Sequence, residues 1–179
     1  SNMTGRLGSA TALGLARMCF ETLLEYGPQA KIACEAQITS AALERVIEAN
    51  TLLSGLGFES AGLAAAHAIH NGLTVLEATH AYWHGEKVAF GTLTSLVLTD
   101  KAPDVIDTVF GFCESVGLPT TLAEIGLDKV SDADLMKAAQ AATATGETIH
   151  NEAGTVTPET VFNAMKAADA IGRDRKTWL

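Results

Sequence analysis

Apolar residues recur at helical spacing along most of the chain, and glycine, proline and hydroxyl residues punctuate them. Between about Leu7 and Tyr26, the positions Leu13, Ala16, Phe20, Leu23 and Leu24 fall on one helical face, and Gly27-Pro28 is expected to stop that helix. Ser40 reads as the N-cap of a second helix that turns Leu43, Val46, Ile47 and Leu53 inward, with Asn50 on the same face, until Gly55 and Gly57 break the pattern. A third helix is predicted from about Glu59 to Asn71, rich in alanine and stopped by Gly72. After an irregular stretch, His84 opens a helix whose face is Val88, Ala89, Thr92, Leu93, Leu96 and Val97. Downstream, Pro103 suits a first helical position and Gly117 a stop, while Thr121 and Glu124 have capping-box spacing for a short turn closed by Gly126. Ser131 caps a helix expected to end at Gly146, and Thr157-Pro158 starts the last helix, which Gly172 should end. No strand pattern of useful length and no internal repeat is present.

Composition agrees with an all-α chain. Alanine and leucine dominate a hydrophobic share of 47%, and aromatics are only 6% of 179 residues, which favours closely packed helices over β-sheets. One helical domain over 4–179 is the expectation, preceded at 1–3 by a Ser1-Asn2 pair that reads as a tag remnant and by a start Met3. A formal charge of −9 argues against nucleic acid as a partner, because phosphate binding needs clustered Lys and Arg. The basic group Arg173, Arg175 and Lys176, interrupted by Asp174, reads as a solvated tail. Three cysteines without C-x-x-C spacing suggest neither a disulfide framework nor a thiolate zinc site and fit a reducing cytoplasm. No apolar run approaches membrane-spanning length, so no membrane partner is expected.

The chemistry concentrates in Gly57–Gly91, which holds four of the five histidines. His67 and His70 stand three apart on one predicted helix face, and His84 begins the next helix, where the dipole disfavours an imidazolium and keeps the ring in the form that ligates metals. His67 with His70, His80 with His84, or His67 with His84 could each share an ion, and spacing does not choose among them. Ordinary core histidines satisfied by backbone carbonyls are the competing reading. A catalytic zinc takes three protein ligands, so a carboxylate must join two histidines; Glu59 and Glu86 are near in sequence, although each also suits a solvated helix end. His150 reads as a loop residue. There is no G-x-G-x-x-G or P-loop to bind a nucleotide, and Ser60 lacks a nucleophile elbow. A helical His-Asp phosphohydrolase is disfavoured by the absence of any His-Asp dipeptide.

The run G-F-E-S-A-G-L-A-A-A-H-A-I-H-N-G-L-T from Gly57, followed by H-G-E-K-V-A-F-G-T-L from His84, resembles glycerol dehydrogenases of the metal-dependent, so-called iron-containing, alcohol dehydrogenase superfamily. The likeness extends back through Ala42-Leu-Glu-Arg-Val-Ile-Glu-Ala-Asn50 and forward to Gly146-Glu-Thr-Ile-His-Asn151, with Ala61 standing where the family pattern has glycine. The resemblance implies oxidation of glycerol or a similar polyol with NAD, at a zinc or other divalent ion held by one aspartate and two histidines, here His67 and His84. It places Phe58 and His70 at the substrate pocket and leaves His80 and His150 structural. It covers only the family's C-terminal helical domain, not the NAD-binding domain or the metal-binding aspartate, which falls upstream of the first helix. Weak metal binding, no dehydrogenase activity by this chain alone, and self-association as a homo-oligomer follow as expectations. A helical self-association module without catalysis is the alternative.

Overall fold

Ser9 accepts a hydrogen bond from the Ala12 amide and starts α1, Ala10–Glu35, which runs straight through the expected stop at Gly27-Pro28. A proline inside a helix removes one hydrogen bond and costs roughly 3 kcal/mol. Ala30 and Ala33, on the far side of Pro28, are buried and offset part of that cost. The structure is a computed structural model that describes residues 7–177; the tag remnant and start methionine lie outside the described residues.

Ser40 does cap α2, Ala41–Glu48, its hydroxyl accepting from the Leu43 amide. Instead of breaking at Gly55 and Gly57, the chain passes through a π turn at Ala49–Leu53 and continues as α3, Ser54–Ala61. Gly57 is buried in this helix against α1, where an added Cβ would come within 3.4 Å of the Ala16 backbone. The π turn also redirects the predicted inward face: Leu53 is buried, whereas Ile47 is half exposed and Asn50 faces solvent. Gly62, at φ 90°, ends α3 where an unbroken helix to Asn71 was predicted.

The contacts divide the chain into two compact units between Leu63 and Ala64, a boundary that the expected single domain does not draw. In the first, α1 packs on α2, the π turn and α3 around a small core of Cys19, Ala49 and Leu53. Leu13 and Phe20, predicted on the inward face of α1, are largely exposed.

The second unit contains α4 (Ala65–Leu73), α5 (His84–Leu98), α6 (Pro103–Val116), α7 (Asp132–Ala142) and α8 (Pro158–Lys176). Its core includes Ile69, Leu73, Phe90, Leu93, Phe110, Leu135, Ile149, Val161 and Met165, all nearly inaccessible. α4 packs against both α5 and α7, and α8 closes over α5 and α7. Neither Gly72 nor Gly172 stops its helix. A Cβ on Gly72 would run into the Ala138 carbonyl oxygen of α7, and one on Gly172 into the Thr120 carbonyl oxygen, so both glycines mark close crossings.

The downstream caps stand where predicted. Ser131 accepts from the Asp134 amide, Thr157 and Thr160 exchange reciprocal hydrogen bonds, and Gly117 adopts the left-handed cap of α6. Glu124 gathers the amides of Thr120 and Thr121. α7 ends at Ala142, four residues before Gly146. The basic cluster is not a solvated tail: it forms the last turns of α8, with Arg175 paired to Glu114 and Asp107, Arg173 to Asp169, and Lys176 to Glu124. No strand occurs among the described residues, and no single helix among them is long and apolar enough to cross a membrane.

Candidate metal centre

Small residues bring the histidines together. A Cβ on Gly91 of α5 would collide with the carbonyl oxygen of Ala66 on α4, so these helices cross with backbones nearly touching, beside His67 and two turns from His84. The crossing sets the N-terminal turn of α5 over the exposed side of α4. There His67, His70 and His84 form one cluster, with ring centroids 5.7 Å apart for His67 and His84 and 4.3 Å for His70 and His84.

Both helix starts are anchored, α4 by groups remote in sequence and α5 by side chains of its own first turn. α4 begins at Ala65 without a capping side chain of its own, and Glu152 supplies one by accepting from the Ala65 amide at 3.0 Å. Thr148 donates to the Ala64 carbonyl, so the segment following α7 holds the entry to α4. At the start of α5, Glu86 accepts from the Trp83 amide at 2.6 Å and is thereby engaged as a cap. Lys87, only 6% exposed, donates from Nζ to the carbonyls of Thr79 and Tyr82 at 3.0 and 2.9 Å. That clasp fixes the turn through which the chain enters His84.

Within the cluster, His84 Nδ1 stands 3.1 Å from His70 Nε2, and His70 Nδ1 stands 3.1 Å from Asn71 Oδ1. The Asn71 amide donates in turn to Glu147 at 3.0 Å. Burial, followed by the neighbouring His84 and His70 rings, holds His67 below the ordinary histidine range. His70 is lowered as well, chiefly by burial, despite the opposing hydrogen bond to Asn71. Low proton affinity leaves an imidazole its lone pair, the condition for ligating a metal.

Two imidazoles on one tetrahedral zinc, with bonds of about 2.0–2.1 Å, have ring centroids roughly 5 Å apart. The 5.7 Å between His67 and His84 therefore suits a shared ion, and the donor chemistry fits. Among the described residues, no group of three or more His, Cys, Asp or Glu side chains is arranged to hold a metal. Glu59 lies in the other compact unit, on α3, with its side chain exposed.

The remaining histidines are occupied elsewhere. His80 donates through Nε2 to the Thr74 carbonyl and His150 through Nε2 to the Ala144 carbonyl, and both are exposed. Phe58, 43% exposed on α3, belongs to the first unit. A surface depression of about 390 Å³ lined by Leu76, Glu77, Gly126, Asp128, Lys129 and Asp134 contains none of the clustered histidines. It lacks a convergent donor set, so the chemistry is assigned to the imidazoles. Sequence reasoning missed Asn71, Glu147, Glu152 and Lys87 as supports of the site. The one local signal was a polar Asn71 following His70 in an otherwise apolar run.

No protein-family model matches the chain. It is 68% identical over 175 residues to a glycerol dehydrogenase of Thermotoga maritima, a match that covers 98% of this chain and 48% of the relative. A glycerol dehydrogenase of Citrobacter freundii is 52% identical over 179 residues, covering 100% of this chain and again 48% of the relative. The crystal structure of glycerol dehydrogenase from Schizosaccharomyces pombe superimposes with a TM-score of 0.94 at 38% identity, over 99% of this chain and 46% of that one. The chain spans about half the length of the curated relatives it matches. The chain belongs to the glycerol dehydrogenase family and corresponds to the C-terminal helical domain of its members.

Proposed function

We propose that this chain is the metal-ligating half of an NAD-dependent polyol dehydrogenase acting on glycerol, with His67 and His84 as two of the protein ligands of a zinc or similar divalent ion. The observation that carries this reading is the pairing of His67 and His84 at a spacing suited to one ion, on two helices locked together at Gly91 and Ala66. When bound, such an ion supplies Lewis acidity at an alcohol oxygen, easing loss of its proton before hydride leaves the adjacent carbon for the nicotinamide.

The chain's own residues supply position. His67, with its lowered proton affinity, keeps a lone pair available at neutral pH. The Lys87 clasp and the Glu86 cap hold His84 at the first turn of α5. His70, beside His84, is assigned to the wall of the substrate pocket. The third ligand, a carboxylate, and the NAD site are assigned to an NAD-binding half outside these 179 residues. The chain alone then binds metal weakly and does not oxidise glycerol. Exposed apolar side chains on α1 to α3, among them Leu13, Phe20, Ile32 and Leu56, favour self-association as a homo-oligomer.

Glycerol-dependent NADH formation, followed with the chain alone and with the NAD-binding half of a relative added in excess, tests the reading. Activity is expected only in the mixture and only with His67 and His84 intact. Turnover by the chain alone, or a mixture indifferent to His67→Ala and His84→Ala, contradicts it.

A further inference from the structure

The hydrogen bonds behind His84 form a chain in which each proton is assigned by chemistry. Glu147 carries a carboxylate, which only accepts, so the Asn71 amide must turn its Nδ2 toward it, as it does at 3.0 Å. That turns Asn71 Oδ1, an acceptor, toward His70, 3.1 Å from Nδ1. His70 Nδ1 therefore carries the proton and donates. In the neutral ring the other nitrogen, Nε2, then holds the lone pair. It faces His84 Nδ1 at 3.1 Å, so His84 Nδ1 is the donor and His84 Nε2 is left unprotonated.

We propose that Glu147 and Asn71, acting through His70, set the tautomer of His84 so that its Nε2 lone pair is the one offered to a metal, and that His70 is a positioning residue whose own lone pair is engaged by His84. The inference rests on the reading of His84 as a ligand. It adds Asn71 and Glu147 to that site, the two standing 76 positions apart along the chain. Polar partners of this kind commonly change metal affinity 10- to 100-fold when removed. Their placement fits the architecture, since Glu147 immediately precedes the residues that hold the start of α4.

The tautomers are readable without metal. In a long-range proton–nitrogen correlation spectrum of the labelled 179-residue chain above neutral pH, the protonated and lone-pair nitrogens of each imidazole resonate far apart. The expected spectrum has His70 and His84 both protonated at Nδ1. His84 protonated at Nε2, or evenly mixed, overturns the proposal, because His70 Nε2 and His84 Nδ1 would then face each other as two lone pairs with no hydrogen bond between them. Asn71→Leu, and the milder Glu147→Gln, should mix the His84 tautomers and lower zinc affinity, measured by competition with a chromophoric chelator, by 10- to 100-fold. Unchanged tautomers and affinity within twofold of wild type in both variants also overturn it. If the wild-type chain binds no zinc while its tautomers are as stated, the relay stands and the ligand reading fails, so the two outcomes are separable.

Discussion

Lys87 shows how a single buried charge supports the site without touching it. Its ammonium is buried and is matched by the carbonyls of Thr79 and Tyr82, which belong to the turn feeding His84. Lys87→Met keeps most of the aliphatic stem and removes only the donor, which takes one hydrogen bond from each carbonyl and leaves Thr79 with the Tyr82 amide alone. Stability to denaturant should fall by about 1–3 kcal/mol. Zinc affinity should fall with it, since the entry to α5 is no longer fixed; a variant equal to wild type in both measurements would show that the clasp is idle. At this scale the sequence yielded the histidines but not their supports. His67, His70 and His84 stand out by type, yet pairing His67 with His84 took the family resemblance, since helical spacing allowed three combinations equally. Asn71 and Glu147 meet only after α4 and the segment following α7 have packed, and no local pattern announces a contact across that separation.

Most helix starts were legible and most helix ends were not, Gly117 of α6 excepted, for a physical reason visible at particular residues. An N-cap is a local event: Ser40, Ser131 and Thr157 each accept from an amide three residues on, so the signal and its consequence share one turn. A glycine inside a helix is ambiguous, because the same residue serves a stop or a close crossing. Gly62 is a stop, at φ 90°, whereas Gly72, Gly91 and Gly172 are crossings whose partners lie far along the chain. This ambiguity gives opposite signs to one substitution. Gly14→Ala, with nothing near its added methyl group, should stabilise α1 by about 0.5–1 kcal/mol through helix propensity alone. Gly72→Ala forces α4 off α7 and should cost about 1–3 kcal/mol, visible as an opposite shift in the unfolding midpoint. Two shifts of the same sign would contradict the crossing geometry. Pro28 teaches the same lesson, since α1 continues past it with Ala30 and Ala33 buried beyond.

Over the whole molecule, fold class followed from composition, because a chain rich in alanine and leucine and poor in aromatics has little from which to build a sheet. The boundary at Leu63 and Ala64 did not, since it depends on which helices share a core. The two units divide the labour: the second holds the histidines and a continuous core, while the first carries much of the exposed apolar surface. A chain spanning about half of its relatives, with two imidazoles paired and a third ligand assigned elsewhere, should behave as half a site. The most direct measurement is therefore zinc binding by the purified chain, titrated calorimetrically for wild type, His67→Ala, His84→Ala and the control His150→Ala. The account predicts one weak site, retained in His150→Ala and weakened at least tenfold in each of the other two variants. Equal binding in all four proteins would contradict it.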